Sequence, residues 1–197
     1  MALEIERRFL VAGDAWQAHV CWSRELRQGY LAGSREGFTV RVRQAAERAW
    51  LTLKAPASAD GLVRHEFEYP IPTADAGELL ELAPQQLAKC RHGLDLQGGV
   101  WVVDVFAGAN APLVVAEVEL EAVDRMITPP TWCVLEITGR AELSNAALAW
   151  RPLQSWPMAE RRLLLAHLHD ATSPSEATSL PPFLTDGVSR GARGSSS

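Results

Sequence analysis

Lysine is almost missing from this 197-residue chain: 17 of its 19 basic residues are arginine, and only Lys54 and Lys89 are lysine. Cysteine is also scarce. Cys21, Cys90 and Cys133 lie far apart, make no metal-ligand spacing and leave one thiol over in any disulfide scheme, which excludes a disulfide scaffold and reads as reduced, mostly packed thiols. No apolar run approaches the roughly 20 residues that span a bilayer, and the opening MALEIERRFL puts charge where a secretion signal has its apolar segment. A cytoplasmic protein without membrane contact is expected. Glycine-rich phosphate loops of the GxxxxGK[ST] or GxGxxG kind are absent too, so neither a P-loop nor a dinucleotide site has support. Positive charge is not in excess: the formal net charge is −5, a field that repels nucleic acid and excludes it as a general partner.

What remains is an ordinary globular composition, 47% hydrophobic and 22% charged, in a chain long enough for one domain with one core. That domain is expected over residues 1–170. Residues 171–197 are rich in Ser, Thr, Pro and Gly, keep no apolar period, and read as a disordered tail.

Within the domain the dominant signal is period two, in short segments separated by turn residues. Strands are predicted near 3–10, 25–31, 38–44, 49–54, 63–70, 87–92, 100–106, 112–121 and 132–138. Helices are predicted near 14–22, 73–82 behind the N-cap candidate Thr73, 143–149 and 158–169. The class is α+β, dominated by antiparallel strands.

The content of the alternation is unusual. Glu4, Glu6 and Arg8 share a face opposite Leu3, Ile5 and Phe9, with Arg7 the one interruption. Arg41 and Arg43 oppose Phe38, Val40 and Val42, and Thr52 and Lys54 oppose Leu51 and Leu53. Arg64, Glu66 and Glu68 oppose His65, Phe67 and Tyr69; Lys89 and Arg91 stand two apart; Asp104 opposes Val103 and Val105; Glu117 and Glu119 oppose Ala116, Val118 and Leu120. Solvated outer faces of a core-packed sheet are the bland reading. Two features argue for another: the charges come as paired carboxylates and paired cations strand after strand, and both lysines fall within the pattern. A closed antiparallel β-barrel answers to this, its charged interior forming a tunnel and its apolar exterior covered by flanking helices and loops.

The two kinds of charge suggest the chemistry. Clustered carboxylates cannot all stay ionised without a neutralising partner, and hard oxygen ligands suit Mg2+ or Mn2+. Clustered Arg41, Arg43, Lys54, Lys89 and Arg91 need an anion, and guanidinium forks with ammonium point charges suit phosphate oxygens. Together they describe a site for a metal-complexed polyphosphate.

EIERRFLV at the start, RQGYL at 27–31, TVRVR at 39–43, LTLK at 51–54, RHEFEY at 64–69, KCR at 89–91, WVVDVF at 101–106 and AEVEL at 116–120 resemble, in order, the bacterial CYTH domain, or triphosphate tunnel metalloenzyme fold. WCVLEITG at 132–139, followed by Asn145, is a weaker match. The resemblance implies a β tunnel, dependence on Mg2+ or Mn2+, and a small-molecule triphosphate substrate. By position it implies metal ligation by Glu4, Glu6, Glu66, Glu68, Asp104, Glu117 and Glu119, and phosphate binding by Arg41, Arg43, Lys54, Arg64, Lys89 and Arg91. Glu4, Glu6, Arg8 and Lys89 take the catalytic positions. The expected reaction is hydrolysis of inorganic triphosphate (tripolyphosphate) to pyrophosphate and phosphate. A non-catalytic triphosphate-binding module, a thiamine triphosphatase and an adenylate cyclase are the alternatives, and a homodimer is left open.

Three positions depart from the family pattern. Arg8 replaces the signature lysine and cannot lose a proton near neutral pH. Val102 stands where a glutamate is usual, and Gly139 where an aspartate is common. For a planar group attached to the triphosphate, Trp50, Trp101 and Trp132 are the candidate stacking surfaces. Trp150 and Trp156 read as core beside the last helix, whose sequence suits a plug at one tunnel end and packing against the barrel wall equally well. No histidine is assigned a role.

Overall fold

The computed structural model describes residues 3–33 and 38–169. The predicted tail at 171–197 lies outside them. The strands are β1 (Leu3–Val11), β2 (Val20–Gly33), β3 (Thr39–Ala45), β4 (Arg48–Pro56), β5 (Val63–Ile71), β6 (Gln85–Leu94), β7 (Val100–Phe106), β8 (Val114–Glu119) and β9 (Cys133–Glu136). They hydrogen-bond in the order β5-β4-β3-β2-β6-β7-β8-β1-β9, and β5 also pairs with β1. The first eight therefore close into an antiparallel barrel and β9 hangs on β1, as the alternation predicts. Helices α1 (Thr73–Leu82), α2 (Asn145–Trp150) and α3 (Met158–His169) lie outside the sheet. No helix among the described residues is long and apolar enough to cross a membrane.

The barrel's exterior is packed in two places. Over β1, β7 and β8, the outward Phe9, Val11, Trp101, Val103, Ala116 and Val118 cluster with Trp16 and Trp132 from flanking loops. Over β3 and β4, Val42 and Ala49 meet Ala76 and Leu80 of α1. The end of that helix comes so close to β2 that a Cβ at Gly29 would stand 2.6 Å from that of Ala83, so only glycine fits there.

The interior core sits at one end of the tunnel. Inward Leu10, Tyr30, Leu87, Phe106 and Val115 pack against Leu143, Leu148, Leu153, Trp156 and Leu164. The plug is thus built mainly from the 141–156 segment, with α3 adding Leu164. Buried Asn110 pins it by donating to the Leu148 carbonyl (3.1 Å) and accepting from the Leu153 amide (2.9 Å).

Several local expectations are corrected. The predicted helix at 14–22 is a 3-10 turn over Ala15–His19, without a side-chain bond from Asp14 to cap it. From Val20 the chain is already strand, because the ladder to β6 runs from Val20↔Leu94 to Tyr30↔Gln85 and supplies its hydrogen bonds. Thr73 does not cap α1: it is the first helical residue, behind an extended Pro72 whose carbonyl accepts the Ala76 amide. The helix expected at 143–149 starts at Asn145, where the Ser144 hydroxyl accepts from the Ala147 amide, and Leu143 belongs to the preceding 3-10 turn. Trp156 is buried but Trp150 is 51% exposed. Cys21 is exposed while Cys90 and Cys133 are partly buried, all as free thiols. Burial pushes the Cys133 thiol up to about 12.

Candidate active site

Strand alternation delivers the charged side chains to the tunnel, and register decides which ones meet. Arg8 faces Glu117 across β1 and β8, Arg91 faces Asp104 across β6 and β7, and Lys54 faces Glu66 across β4 and β5. A cavity of about 280 Å³ opens among them, lined by Glu4, Glu6, Glu68, Glu117 and Glu119, by Arg24, Arg43 and Arg91, and by apolar groups that include Trp22, Trp50 and Val102.

One group of charges joins β1, β4 and β5. Lys54 Nζ donates to both oxygens of Glu4 at 2.9 and 2.7 Å and lies 3.1 Å from Glu66. Arg64 donates to Glu6 at 3.1 Å and lies 3.6 Å from Glu4. Burial disfavours the Glu4 charge, but Lys54 and Arg64 outweigh it and hold the carboxyl down at about 2. Glu6 behaves oppositely. Burial, followed by repulsion from Glu117 and Glu4, pushes it up to about 7. Burial also raises Glu66.

A second group joins β3, β4 and β5. Arg41 lies 3.5 Å from both Glu66 and Glu68, Arg43 donates to Glu68 at 3.2 Å, and the Thr52 hydroxyl donates to Glu68 while accepting from Arg41. The Nε atoms of Arg41 and Arg43 are nevertheless buried without a partner. Burial and then repulsion from Arg41 bring Arg43 down to about 10. Two unpartnered guanidinium donors in a crowded cationic patch are what an anionic ligand would satisfy.

The third group lies deepest. Arg91 grips Asp104 through Nε and Nη2, both at 2.7 Å, and also contacts Glu117. Lys89 donates to Asp104 at 2.5 Å and to Asn145 at 3.1 Å, with the Phe106 ring beside it. Arg8 donates to Glu117 at 3.3 Å and to the Leu143 carbonyl at 3.1 Å, and lies 3.5 Å from Glu6. Despite burial, Arg91, Lys89 and Arg8 hold Glu117 well below the usual carboxylate range. Burial brings Lys89 down to about 8.

The structure therefore gathers every predicted charged residue into the tunnel, but not into one layer. Glu4, Glu6, Glu117, Glu119, Arg43 and Arg91 line the cavity, whereas Lys89 and Asp104 are 3% and 0% exposed and pair behind Arg91. Among the described residues no three His, Cys, Asp or Glu side chains form a ready ion cage. The donor set still fits a divalent cation: burial, with repulsion from Glu117 and Glu4, raises Glu6, a condition that a dication on the same oxygens relieves.

Of the candidate aromatics, Trp50 lines the cavity, while Trp101 and Trp132 are buried in the exterior core. Sequence reasoning missed Trp22, Arg24 and Gln28, and gave Asn145, named only within the weaker match, no role. Trp22 lies flat on Gly93 of β6, where a Cβ would stand 2.0 Å from the indole, and the Arg24 guanidinium sits 5.4 Å from its ring. The period-two run Trp22, Arg24, Leu26, Gln28 was the available signal, hidden by reading residues 14–22 as helix. Gly139 has a reason of its own: φ is +73° and a Cβ would meet the Asp60 carbonyl oxygen at 2.2 Å. His92 bonds Ser23 and packs on Trp16, away from the tunnel charges.

Comparison with known proteins agrees with this geometry. The CYTH domain model matches residues 2–146. An inorganic triphosphatase of Acetivibrio thermocellus is 34% identical over 158 residues, covering 79% of this chain and 99% of that protein. One from Nitrosomonas europaea is 36% identical over 152 residues, covering 74% and 96%. The crystal structure of an inorganic triphosphatase, 32% identical, superposes with a TM-score of 0.55 over 80% of this chain and 98% of the other. With its barrel closed, its tunnel charged on the inside and four-fifths of its length shared with such proteins, this chain belongs to the CYTH domain family.

Proposed function

We propose that this protein hydrolyses inorganic triphosphate to pyrophosphate and phosphate, using Mg2+ or Mn2+, in the charged half of the tunnel. One observation carries the reading: the carboxylates Glu4, Glu6, Glu117 and Glu119 and the guanidinium groups of Arg24, Arg43 and Arg91 line one cavity. The names of the two relatives support the choice of inorganic triphosphate.

Glu4, Glu6, Glu117 and Glu119 are the groups that would hold the divalent ion, which supplies charge neutralisation on the phosphate oxygens. Arg43 and Arg91, backed by Arg41, Lys54 and Arg64, bind and orient the phosphates. Glu66 and Glu68 hold those cations in position. A water oxygen adds to the terminal phosphorus, the bond to the bridging oxygen breaks, and pyrophosphate leaves. Arg8 neutralises Glu117 and Glu6, and the proton of the attacking water leaves on the product phosphate oxygens or to solvent.

Trp22 and Trp50 on the cavity wall favour a second reading, that an organic triphosphate with a planar group, such as thiamine triphosphate or ATP, also enters. The test measures phosphate release from triphosphate, ATP and thiamine triphosphate with EDTA, Mg2+ or Mn2+. Metal-dependent turnover strongest on inorganic triphosphate is expected. Stronger turnover of an aromatic ester selects the second reading. Thermal stabilisation by triphosphate with no product under any condition overturns both in favour of a binding module.

A further inference from the structure

The phosphate-facing guanidinium of Arg91 is not held by the barrel alone. Both of its bonds to Asp104 are 2.7 Å, one from Nε and one from Nη2, so Asp104 fixes the plane of the fork. Asp104 has no solvent exposure, and its Oδ2 takes Lys89 Nζ as well. An ammonium has three donors, and the second fixed acceptor for this one is Asn145 Oδ1 at 3.1 Å.

Asn145 comes from outside the barrel. It opens α2 directly after the Ser144 cap, between the fully buried Leu143 and Leu148, and Asn110 fastens the same segment through the Leu148 carbonyl. Its carboxamide oxygen is therefore set by the packing of the plug. We infer that Asn145 is a positioning residue, which ties the plug to the phosphate-binding face of Arg91 through Lys89 and Asp104. The inference rests on the proposed triphosphate site.

The physical reason is competition for one carboxylate. With Asn145 in place Lys89 divides its donors between two acceptors, and Asp104 keeps an oxygen for each end of the Arg91 fork. Without it a buried ammonium donor loses its partner, and Lys89 leans further onto Asp104 Oδ2. Arg91 then loses its second bond and swings toward Glu117, its other anion. The fork that meets phosphate is misaligned, and a carboxylate at the metal site is drawn away. What matters in this scheme is an acceptor oxygen at position 145, not the shape of the side chain.

The test uses the full chain with three substitutions. Asn145→Leu keeps the shape and removes the acceptor; Asn145→Asp keeps the acceptor; Ser144→Ala loosens the α2 cap without touching Lys89. Triphosphate affinity is measured by calorimetry in EDTA, and KM and kcat with metal. Asn145→Leu is expected to raise Kd and KM about tenfold, the size of a lost hydrogen bond to a charged group. Asn145→Asp stays within about threefold of the parent, and Ser144→Ala lowers Tm without changing Kd. Unchanged Kd in Asn145→Leu overturns the inference. So does equal weakening in the Leu and Asp variants, or weakening in Ser144→Ala to match, since either makes general loosening of the plug a sufficient cause. If Asn145→Leu does not fold, Asn145→Ala, which also removes the acceptor, takes its place with the same expected and the same overturning result. Kd in EDTA tests the positioning role, whereas phosphate release tests the hydrolase, so each can fail without the other.

Discussion

The same strands build two unlike ends of one tunnel. Going inward along β1 the interior positions run Glu4, Glu6, Arg8 and then Leu10; along β6 they run Arg91, Lys89 and then Leu87; along β8, Glu119, Glu117 and then Val115. The open end holds charges in mixed-sign contact around a cavity, and the far end is an apolar core completed by the 141–156 segment. The difference separates function from stability. Buried ion pairs contribute little net stability, because desolvation consumes most of the Coulombic gain, whereas packed leucines contribute directly. The charged end is kept for what it binds, and the apolar end holds the barrel closed behind it.

That division can be broken from either side. The largest effect is expected at the charged end: Glu117→Gln removes a metal-site carboxylate and the shared anion of Arg8 and Arg91, and metal-dependent phosphate release should fall on the order of a hundredfold or more. Turnover within a few-fold of the parent would remove Glu117 from the site.

At the apolar end, Leu148→Ala should cost about 2–5 kcal/mol in denaturant unfolding, by loss of transfer energy plus a cavity. A cost under about 1 kcal/mol would mean that the plug does not hold the barrel.

Glu6 sharpens the comparison by linking the two quantities. Its folded value of about 7 lies above the ordinary 4.5, so its contribution to stability is fully present below pH 4.5 and is lost as pH rises through 7. The loss is about 3 kcal/mol. Melting in EDTA from pH 5 to 8 should show Tm falling more steeply in the parent than in Glu6→Gln, while the variant loses stabilisation by Mg2+. Parallel slopes would show that Glu6 is not strained.

The smallest change is expected from Val102→Glu, which puts a carboxylate on the cavity wall opposite Glu117. The Mg2+ concentration for half-maximal turnover should fall about threefold, following the count of charged ligands; a rise would mean that the added charge repels its neighbours instead.

Much of the fold was legible because the period-two signal is local and strong: every predicted strand except β2 falls within two residues of its expected bounds. The errors cluster where a distant partner decides. Residues 20–24 become strand because β6 lies alongside, which adds to the strand preference of Val20 and Trp22. Trp101 and Trp50 look alike in sequence, yet one residue's difference in phase puts the first in the exterior core and the second in the cavity.

For the site, residue types and alternation determined that carboxylates and guanidinium groups share a tunnel, because side-chain direction in a strand depends only on parity. The sequence also determined that Arg8 cannot act as a base, which is a property of the side chain alone. Which charges touch depends on register between strands far apart in the chain, and so only the tertiary structure decided it. Register pairs Arg91 with Asp104, buries Lys89 behind them, sets Glu6 beside Glu117 and Glu4, and brings Asn145, more than fifty residues from Lys89 in the chain, to within a hydrogen bond of its ammonium group.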